Sequence, residues 1–253
     1  MSQPDGPAVQ LFATCLVDVF RPSIGLAAVE LLERRALRVV LPAGQTCCGL
    51  PCWSSGALRD ARAIARRTLS LLTASPLPVV VPSPACASMI RRYPELLRDD
   101  AAAAARARTL AERTHELGTF LAARPLRPQA KTEAAERAPR RLACQPACAA
   151  LHGGGGDACE ALLAAEPAVA LEALPDAASC CGYGGPFAFD QPELSGALLA
   201  RKLDSLLASG AAAVVSSEPG CVLHLDGALR RRAAGARALH LAEALAEQAG
   251  PGD

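Results

Sequence analysis

The stretch Gly44–Pro51 reads GQTCCGLP, and the triplet CCG inside it recurs in the second half of the chain at positions 180–182. In both halves another cysteine precedes the triplet, with the same 31 residues between them, and a β-type run and a turn after the triplet lead to one more cysteine. The two sets of four are Cys15, Cys47, Cys48 and Cys86, and Cys148, Cys180, Cys181 and Cys221. Chance supplies about 0.04 such triplets in a chain of this composition. The sequence therefore carries a duplicated cysteine module.

The composition is that of a folded protein with a helix-rich core. Of the 253 residues, 51% are hydrophobic and 20% are charged, which is enough apolar surface for a core and argues against disorder. Aromatic residues make up only 3%, so Leu, Val and Ala must fill the interior. The formal net charge of +1 argues against a strongly basic nucleic-acid binder, and we expect no nucleic-acid partner.

Short β-type runs alternate with longer helical patterns in both halves. The predicted strands are Val9–Thr14, Leu37–Leu41, Leu77–Val81, Leu142–Ala147, Ala168–Leu174 and Ala211–Ser216. The predicted helices are Ser23–Arg35, Leu58–Leu72, Tyr93–Ala123, Cys159–Ala165, Pro192–Ala208 and about Ala238–Gln248. This alternation predicts an α/β fold of two pseudo-repeated lobes, each a small, mainly parallel sheet with covering helices.

A segment rich in proline and charge lies near the middle of the chain, at residues 125–140. Few large apolar residues occur in it, which is typical of a linker. The sequence therefore predicts an N-terminal cysteine-rich module at 1–124, the linker at 125–140, and a C-terminal cysteine-rich module at 141–253.

The eight repeated cysteines follow the predicted strands, whose carboxyl ends converge in a parallel sheet. Four thiolates brought together in this way suit a soft metal centre, either zinc or an iron–sulfur cluster. No CxxC knuckle of the kind common in zinc sites occurs, and adjacent cysteines fit tetrahedral zinc poorly, so an iron–sulfur cluster is favoured. Buried structural thiols are the remaining interpretation. Cys52, Cys144 and Cys159 have no counterpart in the repeat and are expected to be packed thiols.

The first residues contain no basic region before an apolar stretch, and no apolar window is long enough to cross a bilayer without a charge or a proline. We therefore expect a cytoplasmic protein without a membrane span, whose thiols are reduced. No nicotinamide or flavin fingerprint and no nucleophile–base arrangement can be recognised, so no catalytic residue is predicted. These observations favour electron transfer within a complex over complete catalysis by this chain.

Five stretches resemble one family across nearly the whole chain: FATCLVDVFRPSIG, GQTCCGLP, PSPACASMIRRYPELL, CCGYGGPFAF and ALHLAEAL. They are similar to the lactate-utilisation protein A family, one of the cysteine-rich (CCG) domain iron–sulfur oxidoreductases related to heterodisulfide reductase and to the iron–sulfur subunit of glycolate oxidase. The resemblance implies iron–sulfur cofactors held by the eight repeated cysteines. It also implies a role in oxidising L-lactate to pyruvate together with partner subunits of the lactate-utilisation system.

The sequence departs from the heterodisulfide reductase pattern at one position in each half. That pattern has CxxC at the downstream element, whereas Ser83 and Glu218 stand at the first of its two positions here. The repeat in each half thus contains four cysteines and no fifth at this position, which predicts one Cys-ligated 4Fe-4S cluster per lobe. The Glu218 carboxylate near Cys221 is expected to lower the reduction potential of the second cluster.

Three other functions remain open at this point. The first is a zinc-stabilised structural or assembly protein without a redox role, and the second is a subunit of a glycolate-type 2-hydroxy acid oxidase. The third is a thiol–disulfide enzyme that cycles the adjacent cysteines. It is the weakest of the three, because vicinal cysteines rarely form a relaxed disulfide.

Overall fold

The computed structural model describes residues 6–124, 138–152 and 157–248. The chain divides into two compact units, Met1–Arg124 and Pro125–Asp253, which we call the N-terminal unit and the C-terminal unit. Most of the predicted linker, residues 125–137, lies outside the described residues, and Arg140 at its end already begins a strand.

The N-terminal unit alternates strands with helices around a four-stranded sheet of order β2-β1-β3-β4. Its elements are β1 Ala8–Leu11, α1 Cys15–Phe20, α2 Pro22–Glu33, β2 Arg38–Val40, α3 Leu50–Ser54, α4 Leu58–Leu72, β3 Val79–Val81, α5 Pro84–Arg91, α6 Tyr93–Leu96, α7 Ala101–Glu112, β4 Thr114–Glu116 and α8 Leu117–Ala122. All three strand pairs are parallel, with Val9 opposite Val39 and Val80 opposite His115.

The C-terminal unit repeats this topology with the strand order β6-β5-β7-β8. Its elements are β5 Arg140–Cys144, α9 Cys148–His152, α10 Cys159–Ala164, β6 Val169–Glu172, α11 Phe187–Asp190, α12 Pro192–Ser209, β7 Ala213–Ser216, α13 Pro219–Arg231, β8 Arg237–His240 and α14 Leu241–Gln248. Its strand pairs are parallel as well. The predicted fold class, two pseudo-repeated α/β lobes, is confirmed.

The fourth strand of each unit corrects the sequence prediction. Strands β4 and β8 fall inside Tyr93–Ala123 and at the start of Ala238–Gln248, both of which the sequence pattern predicts as helical. Each strand has only three or four residues and runs directly into the next helix, so its local pattern merges with that of the helix. Pairing with the buried strand β3 or β7 overrides this local preference.

The cores are built from aliphatic side chains, as the composition predicts. Helix α4 of the N-terminal unit buries Leu69 and Leu72 against the fully buried strand β3, and Tyr93 is the largest side chain in that core. In the C-terminal unit, helices α12 and α13 pack Leu203 and Leu225 into the equivalent core. No helix in the described ranges is both long and apolar enough to cross a membrane.

Candidate functional site

The cysteines of each repeat lie at the carboxyl edge of the sheet, where the first three strands end. In the N-terminal unit, Cys15 is the first residue of α1, the Cys47–Cys48 pair precedes α3, and Cys86 lies in the first turn of α5. The C-terminal unit repeats the arrangement, with α9, the loop after β6, and α13 carrying the equivalent residues Cys148, Cys180, Cys181 and Cys221. Helix starts carry partial positive charge, which favours thiolates there.

In the N-terminal unit the four thiols contact one another in a continuous chain. The Sγ atoms of Cys48 and Cys86 lie 3.2 Å apart. The thiols of Cys15 and Cys48 both hydrogen-bond to Cys47. We call this group the N-terminal cysteine site, and it contains all four residues that the sequence predicts for this half.

The C-terminal unit brings its four predicted cysteines together in the same way. The Sγ atoms of Cys181 and Cys221 lie 2.8 Å apart. Cys180 accepts hydrogen bonds from the thiols of Cys148 and Cys181. We call this group the C-terminal cysteine site. The two sites therefore share one contact pattern as well as one sequence pattern.

One sulfur in each site carries negative charge more readily than its neighbours. Hydrogen bonds from the thiols of Cys15 and Cys48, followed by one from the Gly49 N–H, lower the pKa of Cys47 far below its ordinary value. The same hydrogen bonds raise the pKa values of the Cys15 and Cys48 donors. Cys180 stands in the same relation to its two donor thiols and has a strongly lowered pKa. The lowered pKa values of Cys47 and Cys180 favour the thiolate, the form of sulfur that binds soft metals.

The glycine of each CCG triplet is required by the backbone. Gly49 has φ +89° and Gly182 has φ +86°, both in the left-handed region that favours glycine. A Cβ added at Gly182 would also lie only 2.5 Å from the Ser195 carbonyl oxygen, on helix α12. These glycines let each cysteine pair turn tightly and lie against helix α4 or α12, and their backbone nitrogens lie 3.3 Å from the Cys47 and Cys180 Sγ atoms.

Polar side chains hold the triplet backbone in place, and sequence reasoning missed them. Tyr93 Oη donates to the Cys48 carbonyl at 2.8 Å, and Thr68 Oγ donates to the Cys47 carbonyl at 3.2 Å. In the C-terminal unit, Ser195 Oγ donates to the Gly182 carbonyl at 2.8 Å. Thr68 in α4 and Ser195 in α12 are buried polar residues, and apart from them and Lys202 the buried side chains of these two helices are apolar. That interruption of an apolar face is the signal that could have found them.

Glutamine side chains tie the first strand of each unit to the loop that carries its triplet. Gln45, in the triplet loop, accepts from the Ala13 N–H at 2.8 Å and donates to the Leu11 carbonyl at 3.0 Å. In the C-terminal unit the glutamine lies at the other end of the bridge. Gln145 follows the first strand and donates to the carbonyl of Ala177, in the loop that leads to the triplet, at 3.2 Å. Both bridges hold the first cysteine of a site near its triplet.

Ser83 and Glu218, which stand where the heterodisulfide reductase pattern has the first cysteine of CxxC, both lie at the start of a helix. Ser83 is the N-cap of α5, and its Oγ accepts from the Cys86 N–H at 3.1 Å. Glu218 occupies the N-cap position of α13, three residues before Cys221, and is partly buried. The neutral cap of one unit is therefore replaced by an ionisable residue in the other.

The three cysteines outside the repeat lie in different places. Cys52 is in α3 and packs against the core of the N-terminal unit, Cys144 ends strand β5, and Cys159 is fully buried at the start of α10. Their role as packed thiols stays a prediction. Across the ranges that the structure describes, no group of three or more His, Cys, Asp or Glu side chains is arranged as a site for a single metal ion.

Comparison with known proteins agrees with this architecture of two matching cysteine sites. The cysteine-rich domain (CCG) family matches the chain twice, at residues 9–91 and 142–226, so that each match covers one cysteine site. The chain belongs to the cysteine-rich domain family.

Two relatives give a narrower placement. The chain is 35% identical over 241 residues to "Lactate utilization protein A" of Macrococcus caseolyticus (strain JCSC5402), covering 95% of this chain and 96% of the relative. It is 33% identical over 237 residues to the protein of the same name from Bacillus subtilis (strain 168), covering 94% and 98%. Within the cysteine-rich domain proteins, the chain is a member of the lactate utilization protein A family.

Proposed function

We propose that this protein is an iron–sulfur electron-transfer subunit of a system that oxidises L-lactate to pyruvate. The observation that carries the proposal is the pair of four-thiol sites, one at the carboxyl edge of each sheet, in which every thiol contacts another. The name shared by relatives that match almost the whole chain supports lactate as the substrate of the system.

The donor sets fit Cys-ligated 4Fe-4S clusters, one in each unit. Cys15, Cys47, Cys48 and Cys86 would hold the first cluster, and Cys148, Cys180, Cys181 and Cys221 the second. Four thiolates satisfy the usual requirement of such a cluster. When bound, the clusters supply one-electron oxidation and reduction. All eleven cysteines are free thiols, which suits the reducing cytoplasm that the proposal assumes.

The chain's own residues prepare these sites for sulfur ligation. The starts of α5 and α13 direct backbone N–H groups toward the edge where Cys86 and Cys221 lie, and this stabilises negative charge on sulfur. The buried side chains below each site exclude water, which strengthens the electrostatic effect of every nearby charge. Tyr93 and Thr68 donate hydrogen bonds to the carbonyl groups of Cys48 and Cys47 and so support the backbone of the first triplet.

Oxidation of lactate to pyruvate releases two electrons and two protons, and two one-electron centres together could accept both electrons. Removal of hydrogen from lactate requires catalytic groups, and no recognisable arrangement of such groups occurs among the residues that the structure describes. The proposal therefore assigns that step, and the final electron acceptor, to other subunits of the lactate-utilisation system. This chain transfers electrons between those subunits.

Anaerobic purification followed by iron, sulfide and zinc analysis tests the proposal. We expect about eight iron and eight sulfide per chain, together with the absorption and EPR signals of 4Fe-4S clusters. Stoichiometric zinc without sulfide would instead support the structural or assembly role. Mixing the loaded protein with its partner subunits and either lactate or glycolate then tests the substrate. Reduction of the clusters with glycolate but not with lactate would contradict the assignment of lactate as the substrate.

A further inference from the structure

A lysine is fully buried beside the C-terminal cysteine site. Lys202 lies on helix α12 with none of its surface exposed, whereas lysine is almost never fully buried unless it is paired. Its Nζ atom donates to the carbonyl oxygen of Asp176 and, at 3.4 Å, to that of Ala177. Both carbonyls belong to the loop that leads into Cys180. Acceptors of this kind favour the charged ammonium form.

The N-terminal unit has a neutral residue at the equivalent place. The carbonyl oxygen of Ala61 is the nearest helix atom to a Cβ built at Gly49, and the carbonyl oxygen of Ser195 holds that position at Gly182, so these two helix residues correspond. Seven residues further along each helix, which is two turns on the same face, stand Thr68 and Lys202. The two units therefore differ by one buried positive charge at matched positions.

The charge of Lys202 acts on the sulfur atoms of its site. Burial lowers the pKa of Lys202, whereas the negative charges of Asp176 and of the site thiols Cys181, Cys148 and Cys180 act in the opposite direction. The Asp176 carboxylate forms an ion pair with Arg201 at 2.9 Å, so a second cation balances it.

We propose that Lys202 is a positioning residue that raises the reduction potential of the centre held in the C-terminal cysteine site, through its buried positive charge. This inference rests on the proposed function, since it requires a redox centre at that site. A reduced cluster carries one more negative charge than an oxidised one, and a nearby cation in a water-poor environment stabilises the reduced form more. Thr68 supplies no such charge to the N-terminal site. The two centres are thereby made unequal by the chain itself.

The test is a potentiometric titration of the loaded full-length protein, followed by EPR, for the wild type and for Lys202→Met, Lys202→Gln and Lys202→Arg. Methionine and glutamine remove the charge, with glutamine keeping a donor for the carbonyls, and arginine keeps the charge. The centre lost in Cys181→Ser identifies the C-terminal signal. Thr68→Val is the matched control in the other unit, because it removes a hydrogen bond to the triplet without changing charge.

We expect both neutral variants to shift the midpoint of the C-terminal centre to lower potential, by about tenfold in the oxidised-to-reduced ratio, or about 59 mV for one electron. The N-terminal centre should be unchanged, Lys202→Arg should restore the wild-type midpoint, and Thr68→Val should leave the C-terminal centre unchanged. Iron and sulfide content is measured first in every sample. A wild-type protein without iron and sulfide contradicts the proposed function itself.

Two further results overturn the inference while leaving the proposed function intact. One is an unchanged C-terminal midpoint in neutral variants that carry the full iron content. The other is loss of the C-terminal centre in both neutral variants, since Lys202 would then serve to assemble the site and not to adjust its potential.

Discussion

The Sγ atoms of Cys48 and Cys86 lie 3.2 Å apart, although the two residues are 38 positions apart in the chain. Strand β3 lies next to the buried strand β1, and its end delivers Cys86 to the edge where the first triplet lies. The C-terminal unit repeats this relationship between Cys181 and Cys221, at 2.8 Å and across 40 positions. One sheet topology, used twice, therefore assembles each site from residues that are distant in the chain.

Replacing one cysteine of a single site should empty that site alone. We expect Cys181→Ser to remove about half of the bound iron and Cys48→Ser to remove the other half, because each unit has its own sheet and its own four thiols. Iron and sulfide analysis after anaerobic loading measures this. Cys159→Ala is the control, since it removes a buried thiol outside both sites and should leave the iron content unchanged. Full iron content in both serine variants would contradict the two-cluster proposal.

The glycine of the second triplet should tolerate no side chain. Gly182→Ala places a Cβ 2.5 Å from the Ser195 carbonyl and also forces alanine to adopt φ +86°, so we expect a loss of unfolding free energy above the roughly 1–3 kcal/mol of backbone strain alone. Gly185→Ala is the control in the same loop, because its φ is +65° but no atom lies within 4 Å of an added Cβ. Chemical denaturation of the two variants measures the difference. Equal losses of unfolding free energy in Gly182→Ala and Gly185→Ala would show that the close approach to the Ser195 carbonyl does not matter.

Removing the Tyr93 hydroxyl should weaken the N-terminal unit. In Tyr93→Phe the Cys48 carbonyl loses a buried donor at 2.8 Å while the ring still fills the core, so we expect a loss of about 1–3 kcal/mol in the free energy of unfolding, measured by chemical denaturation. We also expect a changed EPR line shape for the N-terminal centre. The signal of the C-terminal centre in the same sample is the internal control. A change confined to the EPR signal of the C-terminal centre would argue against a role for the hydrogen bond between Tyr93 and the Cys48 carbonyl.

Neutralising Glu218 should raise the midpoint potential of the C-terminal centre, whereas neutralising Lys202 should lower it. Glu218 is partly buried at the start of α13, three residues before Cys221, so its negative charge should lower the potential of the C-terminal centre. We expect Glu218→Gln to raise the midpoint measured by potentiometric EPR titration. Glu160→Gln, at an exposed position on α10, is the matched charge change and should have little effect because solvent screens it. A midpoint equal to that of the wild type in Glu218→Gln would refute this prediction.

Local and repeated features of the sequence are enough to predict the α/β class, the two lobes and the two groups of four cysteines. The sequence predicts helix α4 with the bounds that the structure has, because its apolar spacing, its length and its flanking breaks all agree. The cysteine groups are predictable because one topology brings the ends of the same strands together in each half.

Strands β4 and β8 and the supporting polar residues depend on contacts between distant parts of the chain. Each strand is too short to stand out from the adjoining helix and forms only because it pairs with β3 or β7. The local sequence does not distinguish Lys202 from an exposed lysine of a helix. Only the packing of α12 against the loop before Cys180 buries its charge. A repeat predicts which residues meet, and the sequence alone shows that Ser83 and Glu218 differ at matched positions. The burial of Lys202 and the dielectric environment of each site arise only when the whole unit has packed.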